Sequence, residues 1–351
     1  MKRTIYLVAA LAIIISICSV FISCGNSDVK EDPVITPTEE APAPTQPPKP
    51  KIPELPGGVL SMVDNHPDAR PQSGLDKADL VYEIIAEGGI TRYMAMFYYE
   101  KAEKIGPVRS SRYYYAQLAR GMDLPYAHAG GSLEAISTIR QIGVKDLDEI
   151  NNASKYFWRD NSRKMPHNLY TSTDLLIEGA VAKKFTMKVP ELMPIGESFE
   201  GEHLAGGKLN IDYAPGSRYR YVVTWIWEEG LGNSGGQYRR LINGEPHVMI
   251  GGEQLVADTI VIVEAKTKEV VKDSVVTSDV TLIGSGTALC IADNQIFRGK
   301  WEKTDVDKPL RILDEKGNEL KRKDGKLWIQ VVASMNNVAF SVEPIVDEPD
   351  E

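Results

Sequence analysis

Apolar and polar positions divide the chain into three stretches. Residues 5–22 form an almost unbroken apolar run, a polar and proline-rich segment follows, and from Val59 onward apolar residues recur at strand and helix spacing. Residues 59–63, 78–86 (ADLVYEIIA) and 90–99 (ITRYMAMFYY) predict strands, the last two joined as a hairpin through Gly88-Gly89. Residues 111–120 predict a helix capped by Ser110 or Ser111. Residues 124–129 predict a short strand, which enters a helix over 133–142 through Gly130-Gly131-Ser132. Thr171 to Thr173 supply caps for a third helix over 173–183, with Asp174 suited to its positive end. Strands alternating with helices make this part, residues 59–190, an α/β domain.

The texture changes beyond about Leu209. YRYVVTWIW, QYRRLIN, DTIVIVEA, VVTSDVTLI, TALCIAD, QIFRGKW and KLWIQVVA follow one another at short intervals. Turn pairs such as Asn243-Gly244, Asp293-Asn294, Lys316-Gly317 and Asp324-Gly325 separate several of them. Residues 208–345 therefore read as an all-β domain, barrel or sandwich-like, with the boundary between 192 and 207.

The N-terminal run has the layout of a secretory signal. Lys2 and Arg3 precede it, and it ends in FISCG, with small Ser23 before Cys24 and Gly25 after. This resembles a bacterial lipobox, although Phe21 stands where leucine is usual. Residues 1–23 then form a lipoprotein signal peptide and Cys24 carries the lipid. The alternative is an uncleaved transmembrane anchor, and both place the folded part outside the cytoplasm. Residues 24–58 are a proline-rich spacer, EDPVITPTEEAPAPTQPPKPKIPELPGG at its core, too poor in apolar groups to fold alone. With Cys18 removed and Cys24 acylated, Cys290 is the only remaining cysteine of the three, so neither an intramolecular disulfide nor a thiolate metal site is expected.

A net charge of −9 excludes a broad basic surface for nucleic acid, and no nucleic-acid partner is expected. It leaves room for a local cationic pocket. KIGPVRSSRYYYAQL offers one: Arg109 and Arg112 flank Ser110 and Ser111 at a helix start, where unpaired backbone N–H groups favour an anion. His128, Gly130, Gly131 and Ser132 form a second junction, where glycines would let a ligand approach the backbone. Arg159, Arg163, His167 and Asn168 lie in a third polar loop, while Asp64, His66 and Arg92 complete the candidate ligand-binding set. The competing reading is structural: the serines cap the helix, and the arginines pair with Asp64, Asp68, Asp76, Glu87 or Asp160. Glycines at the helix entrance weigh towards the ligand.

Other patterns carry less. Gly232-Asn233-Ser234-Gly235-Gly236 matches G-x-S-x-G but lies between β segments with no helix after it. The five histidines show no H-E-x-x-H, so no metal or cofactor is expected. Tyr113, Tyr114 and Tyr115 would spread around a helix, and Trp225 with Trp227 shares a strand face, so packing explains them first.

VDNHPDARPQSGLDKADLVYE, EGGITRYMAMF, KIGPVRSSR, HAGGS, the segment from Arg159 to Tyr170, GSGTALC and FRGKW together resemble the YerB-like lipoproteins of Gram-positive bacteria. That resemblance covers nearly everything after the spacer. It implies an α/β domain followed by a β-rich one and supplies no reaction, because none is assigned to the family. A weaker likeness of layout concerns the LytR-CpsA-Psr glycan transferases, which hold a polyprenyl pyrophosphate with arginines. Here Ser110 follows Arg109, where that family has an aspartate.

The expectation is a membrane-tethered, extracytoplasmic lipoprotein that binds an anionic glycan or polyprenyl-phosphate ligand of the cell envelope. One alternative is a phosphotransferase using Asp64 or Asp79 as base or on a metal. Another is a structural adaptor in a membrane complex with an unknown protein partner.

Overall fold

The computed structural model describes residues 52–196, 201–216, 220–232, 235–272 and 275–341. The signal peptide, Cys24, most of the spacer and the middle of the Gly232–Gly236 loop lie outside the described residues. Among the described residues no helix is long and apolar enough to cross a membrane.

The first strands follow from β-branched, alternating sequence. β1 (Val59–Asp64) and β2 (Leu80–Glu87) both pair antiparallel with β3 (Ile90–Phe97). Gly88 and Gly89 make the hairpin turn at φ of 57° and 82°, a left-handed pair that suits glycine. β4 (Tyr126–His128) adds parallel to β1, and β5 (Asp146–Asp148) parallel to β4.

α1 (Tyr113–Met122), α2 (Leu133–Ile142) and α3 (Thr173–Ala182) lie between or after these strands. Ser132 and Ser172 cap α2 and α3, accepting from the amides of Ala135 and Leu175 at 3.2 Å each. The cap of α1 differs from expectation. Arg112 occupies it without a side-chain bond, because Ser111 turns inward and hydrogen-bonds the Tyr126 hydroxyl at 2.7 Å. The tyrosine row seats α1: Tyr114 and Tyr115 are buried, and their hydroxyls donate to backbone carbonyls of β2 and β3.

The second half supplies β6 (Lys208–Asp212), β7 (Val222–Glu229), β8 (Gly236–Ile242), β9 (Thr259–Glu264), β10 (Thr267–Lys272) and β11 (Val275–Val280). After them come β12 (Gly284–Ala292), β13 (Gln295–Lys303), β14 (Arg311–Leu313), β15 (Leu327–Val332) and β16 (Val338–Ser341). All seven strand-like phrases of this half form strands, so it is all β, and the described chain is mostly sheet with few helices.

These strands do not close on themselves. They divide between two sheets, and the larger, of 13 strands among the described residues, runs through both halves along a path of ten in the order β14-β13-β12-β9-β15-β2-β3-β1-β4-β5, with β10, β11 and a two-residue strand at Glu202–His203 off that path. β15 is the joint, parallel to β9 on one side and to β2 on the other. All six of its residues are buried, as a parallel strand covered on both faces requires. The smaller sheet, β8-β7-β6-β16 with two short edge strands, packs on the larger. Trp225 of β7 meets Trp328 of β15 edge to face at 5.3 Å and donates to Gln330 at 3.0 Å. Cys290 is fully buried in β12, and burial pushes its thiol up to about 12.

Candidate functional site

The site is assembled at the end of β1. Register places Asp64 opposite Arg92 of β3. The loop after Gly106-Pro107 runs back along β1, held by the Asp64 amide donating to the Pro107 carbonyl at 2.8 Å. That brings the Arg109 Nε to 3.2 Å from the Asp64 carboxylate. Arg92 donates to the Ser110 carbonyl at 2.7 Å and pairs with Glu87 at 2.7 Å. Arg112 pairs with the other oxygen of the same Glu87. The structural reading of these arginines is therefore met in part, by Asp64 and Glu87.

A concavity remains open among them. Arg92, Arg109 and Arg112 line a cavity of about 320 Å³ together with Asp64, His66 and Glu87. Three guanidinium groups face two carboxylates there. A second cavity of about 170 Å³ is lined by Arg109, Arg159 and Glu149 beside Val108, Ile150 and Pro166. Arg109 and Ser110 belong to both walls. The Nε contact with Asp64 is an ion pair without a hydrogen bond, and the Arg109 side chain makes no hydrogen bond within the protein among the described residues.

Electrostatics follow from burial. Desolvation lowers the Arg109 and Arg112 guanidinium groups from their ordinary value, which leaves them cationic at neutral pH. Burial would raise the Asp64 carboxyl, but Arg109, the His66 amide, Arg92 and His167 outweigh it and hold it below the usual range. A lowered folded value means that Asp64 stabilises the fold fully above its unfolded value of about 4 and loses that contribution as pH falls through the folded value. Asp64→Asn is expected to be less stable than the parent at pH 7, with the gap shrinking as pH falls below about 4. Urea unfolding of both proteins between pH 3 and 7 measures it; a gap that does not narrow on the acid side contradicts the assignment.

The third loop joins the group. His167 binds the Asp64 carboxylate through Nδ1 at 2.7 Å, and its ring stacks on His66 at 4.6 Å. Arg159 bonds Asn168 at 3.1 Å and lies 3.6 Å from Glu149. Arg163 turns instead to the carbonyls of Pro71 and Asp68, at 2.6 and 3.4 Å.

The Gly-Gly junction stands apart. His128 is fully buried, with Nδ1 on the Gly130 carbonyl and Nε2 on Asp146, both at 2.8 Å. The Gly130 amide is taken by Asp148 at 2.7 Å and its carbonyl by the Ser111 amide at 2.9 Å. Gly130 sits at φ 62°, and a Cβ on Gly131 would come within 3.1 Å of Ala135. The glycines at this entrance thus serve the turn and its packing, and so lend no weight of their own to a ligand there. None of His128, Gly130, Gly131 and Ser132 lines either arginine cavity. Asp79 is also elsewhere: its carboxylate accepts from the amides of Tyr98 and Tyr99 at 2.7 and 3.0 Å, and burial raises it.

Sequence reasoning missed a buried polar network beneath the site. Glu83 of β2 and Arg240 of β8 are both wholly buried and pair at 2.7 Å. Glu83 also accepts from Thr91, Tyr221 and Gln330 at 2.8, 2.6 and 2.8 Å. Tyr221 and Thr91 both accept from Asn65, next to Asp64, and Gln72 donates to the Asp64 carbonyl at 3.1 Å. His247 accepts from Arg240 and reaches Gln72 at 2.9 Å. Burial and the nearby Arg240 and Arg70 push His247 well below its ordinary value, so it is neutral. The smaller sheet thus holds the turn that carries Asp64 and His66. The available signal was a carboxylate inside the apolar run LVYEIIAE, and Arg240 on the buried period of QYRRLI.

Residues 49–186 match the N-terminal domain, and residues 210–329 the C-terminal domain, of DUF3048, each described as a protein of unknown function. A Bacillus subtilis (strain 168) protein named as a lipoprotein, YerB, is 30% identical over 294 residues, covering 81% of this chain and 83% of that protein. The crystal structure of the YerB protein from Bacillus subtilis aligns with a TM-score of 0.71 at 28% identity, over 81% of this chain and 93% of that one.

Proposed function

Because the chain belongs to the YerB-like lipoprotein family, whose two DUF3048 domains carry no assigned activity, we propose its function from the site: it is a membrane-tethered, extracytoplasmic lipoprotein that binds an anionic group of a cell-envelope ligand through the arginine cluster. Cys24 would carry the lipid, and the proline-rich spacer would hold the folded part off the bilayer.

The observation that carries the binding reading is Arg109. It forms part of both cavity walls, is anchored on Asp64 through Nε, and keeps its terminal amino groups for a guest. A planar guanidinium in that position suits phosphate or carboxylate oxygens. Arg92 and Arg112, tied to Glu87, add positive potential to the same cavity. Val108, Ile150 and Pro166 give the second cavity an apolar wall, which fits a guest larger than a bare ion.

Inorganic pyrophosphate is the probe. Titrated by calorimetry into the purified full chain, it should bind at one saturable site and weaken as salt is raised. Absence of saturable binding at low salt overturns the reading.

A further inference from the structure

His66, Asp68 and His167 place three metal-binding side chains beside the larger cavity, with one ligand atom of each within 4.8 Å of the others. His66 caps the 3-10 turn Pro67–Ala69, which carries Asp68, and its Nδ1 lies 3.6 Å from the Asp68 carboxylate. His167 comes from a different loop and stacks its ring on His66, the planes 22° apart.

Asp64 supplies a second, independent observation. It is 3% exposed and accepts from His167 Nδ1 at 2.7 Å. Because the carboxylate accepts, that bond puts the proton on Nδ1 and leaves the ring's lone pair on Nε2, which has no protein partner among the described residues. A buried carboxylate orienting an imidazole in this way is the usual support of a histidine metal ligand.

We propose that His66, Asp68 and His167 form a site for a divalent transition metal of the zinc class, with Asp64 as the positioning residue for His167. Two imidazoles and one carboxylate are the donor set that such ions accept, and three protein ligands leave a position open. A magnesium- or calcium-type ion would want oxygen donors instead.

Metal–ligand bonds of about 2.0–2.2 Å allow ligand atoms no farther apart than roughly 4.4 Å, so the triad must close slightly around an ion. The His66 and Asp68 side chains are 34% and 75% exposed and have room to do so. The His66 Nδ1 accepts the Asp68 amide at 3.2 Å, a long bond that a metal at that nitrogen displaces. Arg109 and Arg163 stand nearby and oppose a dication, and the Asp64 and Asp68 carboxylates offset them. The proposal rests on the histidines and stands apart from the anion reading.

The test is equilibrium dialysis of the chelator-stripped full chain against Zn²⁺ alone, with Mg²⁺ as competitor. One Zn²⁺ per chain should be retained against excess Mg²⁺. His66→Ala and His167→Ala should each weaken retention at least tenfold, and Asp64→Asn about tenfold or more. His203→Ala, at an exposed histidine elsewhere, should leave it unchanged. Circular dichroism confirms folding, and the partly exposed His66 variant decides the matter if His167→Ala does not fold. No stoichiometric zinc, or equal retention by the folded histidine variants, overturns the site. Pyrophosphate titration of the zinc-free chain separates this failure from failure of the anion reading.

Discussion

Arg240→Met is expected to cost the protein about 3–5 kcal/mol, because it strips one partner from an ion pair that has no access to water. Arg240 and Glu83 are both fully buried and 2.7 Å apart. Burial alone would depress the guanidinium. Glu83, Tyr93 and Tyr221 outweigh it and hold Arg240 well above its ordinary value. Its planar group also lies over Trp328 at 4.8 Å, with Trp225 and Tyr93 each at 5.6 Å. Methionine fills much of the volume but leaves a carboxylate supported, among the described residues, by Thr91, Tyr221 and Gln330. The double variant Glu83→Gln, Arg240→Met removes the stranded charge and should recover a substantial part of the loss. Urea unfolding at pH 7 measures all three proteins. A loss below about 1 kcal/mol for Arg240→Met would mean that the carboxylate finds relief elsewhere. Since the network reaches Asn65 and Gln72, the same variant should also loosen the turn that carries Asp64 and His66.

Arg109→Ala is expected to weaken pyrophosphate binding by roughly 10- to 100-fold, the worth of a hydrogen bond to a charged group at about 1.5–3 kcal/mol. Arg109 is chosen because it belongs to both cavity walls and meets Asp64 through Nε alone, whereas Arg92 and Arg112 share Glu87 through their terminal amino groups. Arg109→Lys should restore only part of the affinity, since an ammonium keeps the charge and loses the fork. Arg163→Ala, whose guanidinium faces the carbonyls of Pro71 and Asp68, should have a much smaller effect. Calorimetry at matched salt reads all three, with a thermal melt to confirm folding. Equal affinity in Arg109→Ala and its parent would remove Arg109 from the binding surface.

Local elements were legible because their signals are local. ADLVYEIIA and ITRYMAMFYY around Gly88-Gly89 carry their own pairing, and Ser132 announces the cap of α2. The meeting of Arg109, Asp64 and His167 was legible only as a gathering of polar loops, since nothing along the chain gives the register of β1 with β3 and the loop after Pro107. The misreadings have a physical source. Ser111 has two outlets for its hydroxyl, a helix cap or the Tyr126 phenol, and only tertiary structure puts Tyr126 within reach. Gly130-Gly131 has the same appearance whether it admits a ligand or its own neighbour Ala135. KLWIQVVA was correctly a strand, but strand propensity does not say which sheet receives it. Glu83 and Arg240 stand 157 positions apart, and each alone looks like a stray charge in an apolar pattern.

The placement of β15 bears on how this molecule comes into being. The strand that closes the gap between β9 and β2 is synthesised long after β2, with β6 to β14 between them, so β2 waits with one backbone edge bare until residues 327–332 have emerged. An unzipped edge beside apolar side chains is a template for wrong partners, including other nascent copies. Maturation of the N-terminal half is thus postponed until residues 327–332 are made, and a break between the two halves would leave that edge uncovered in place of a smaller working module.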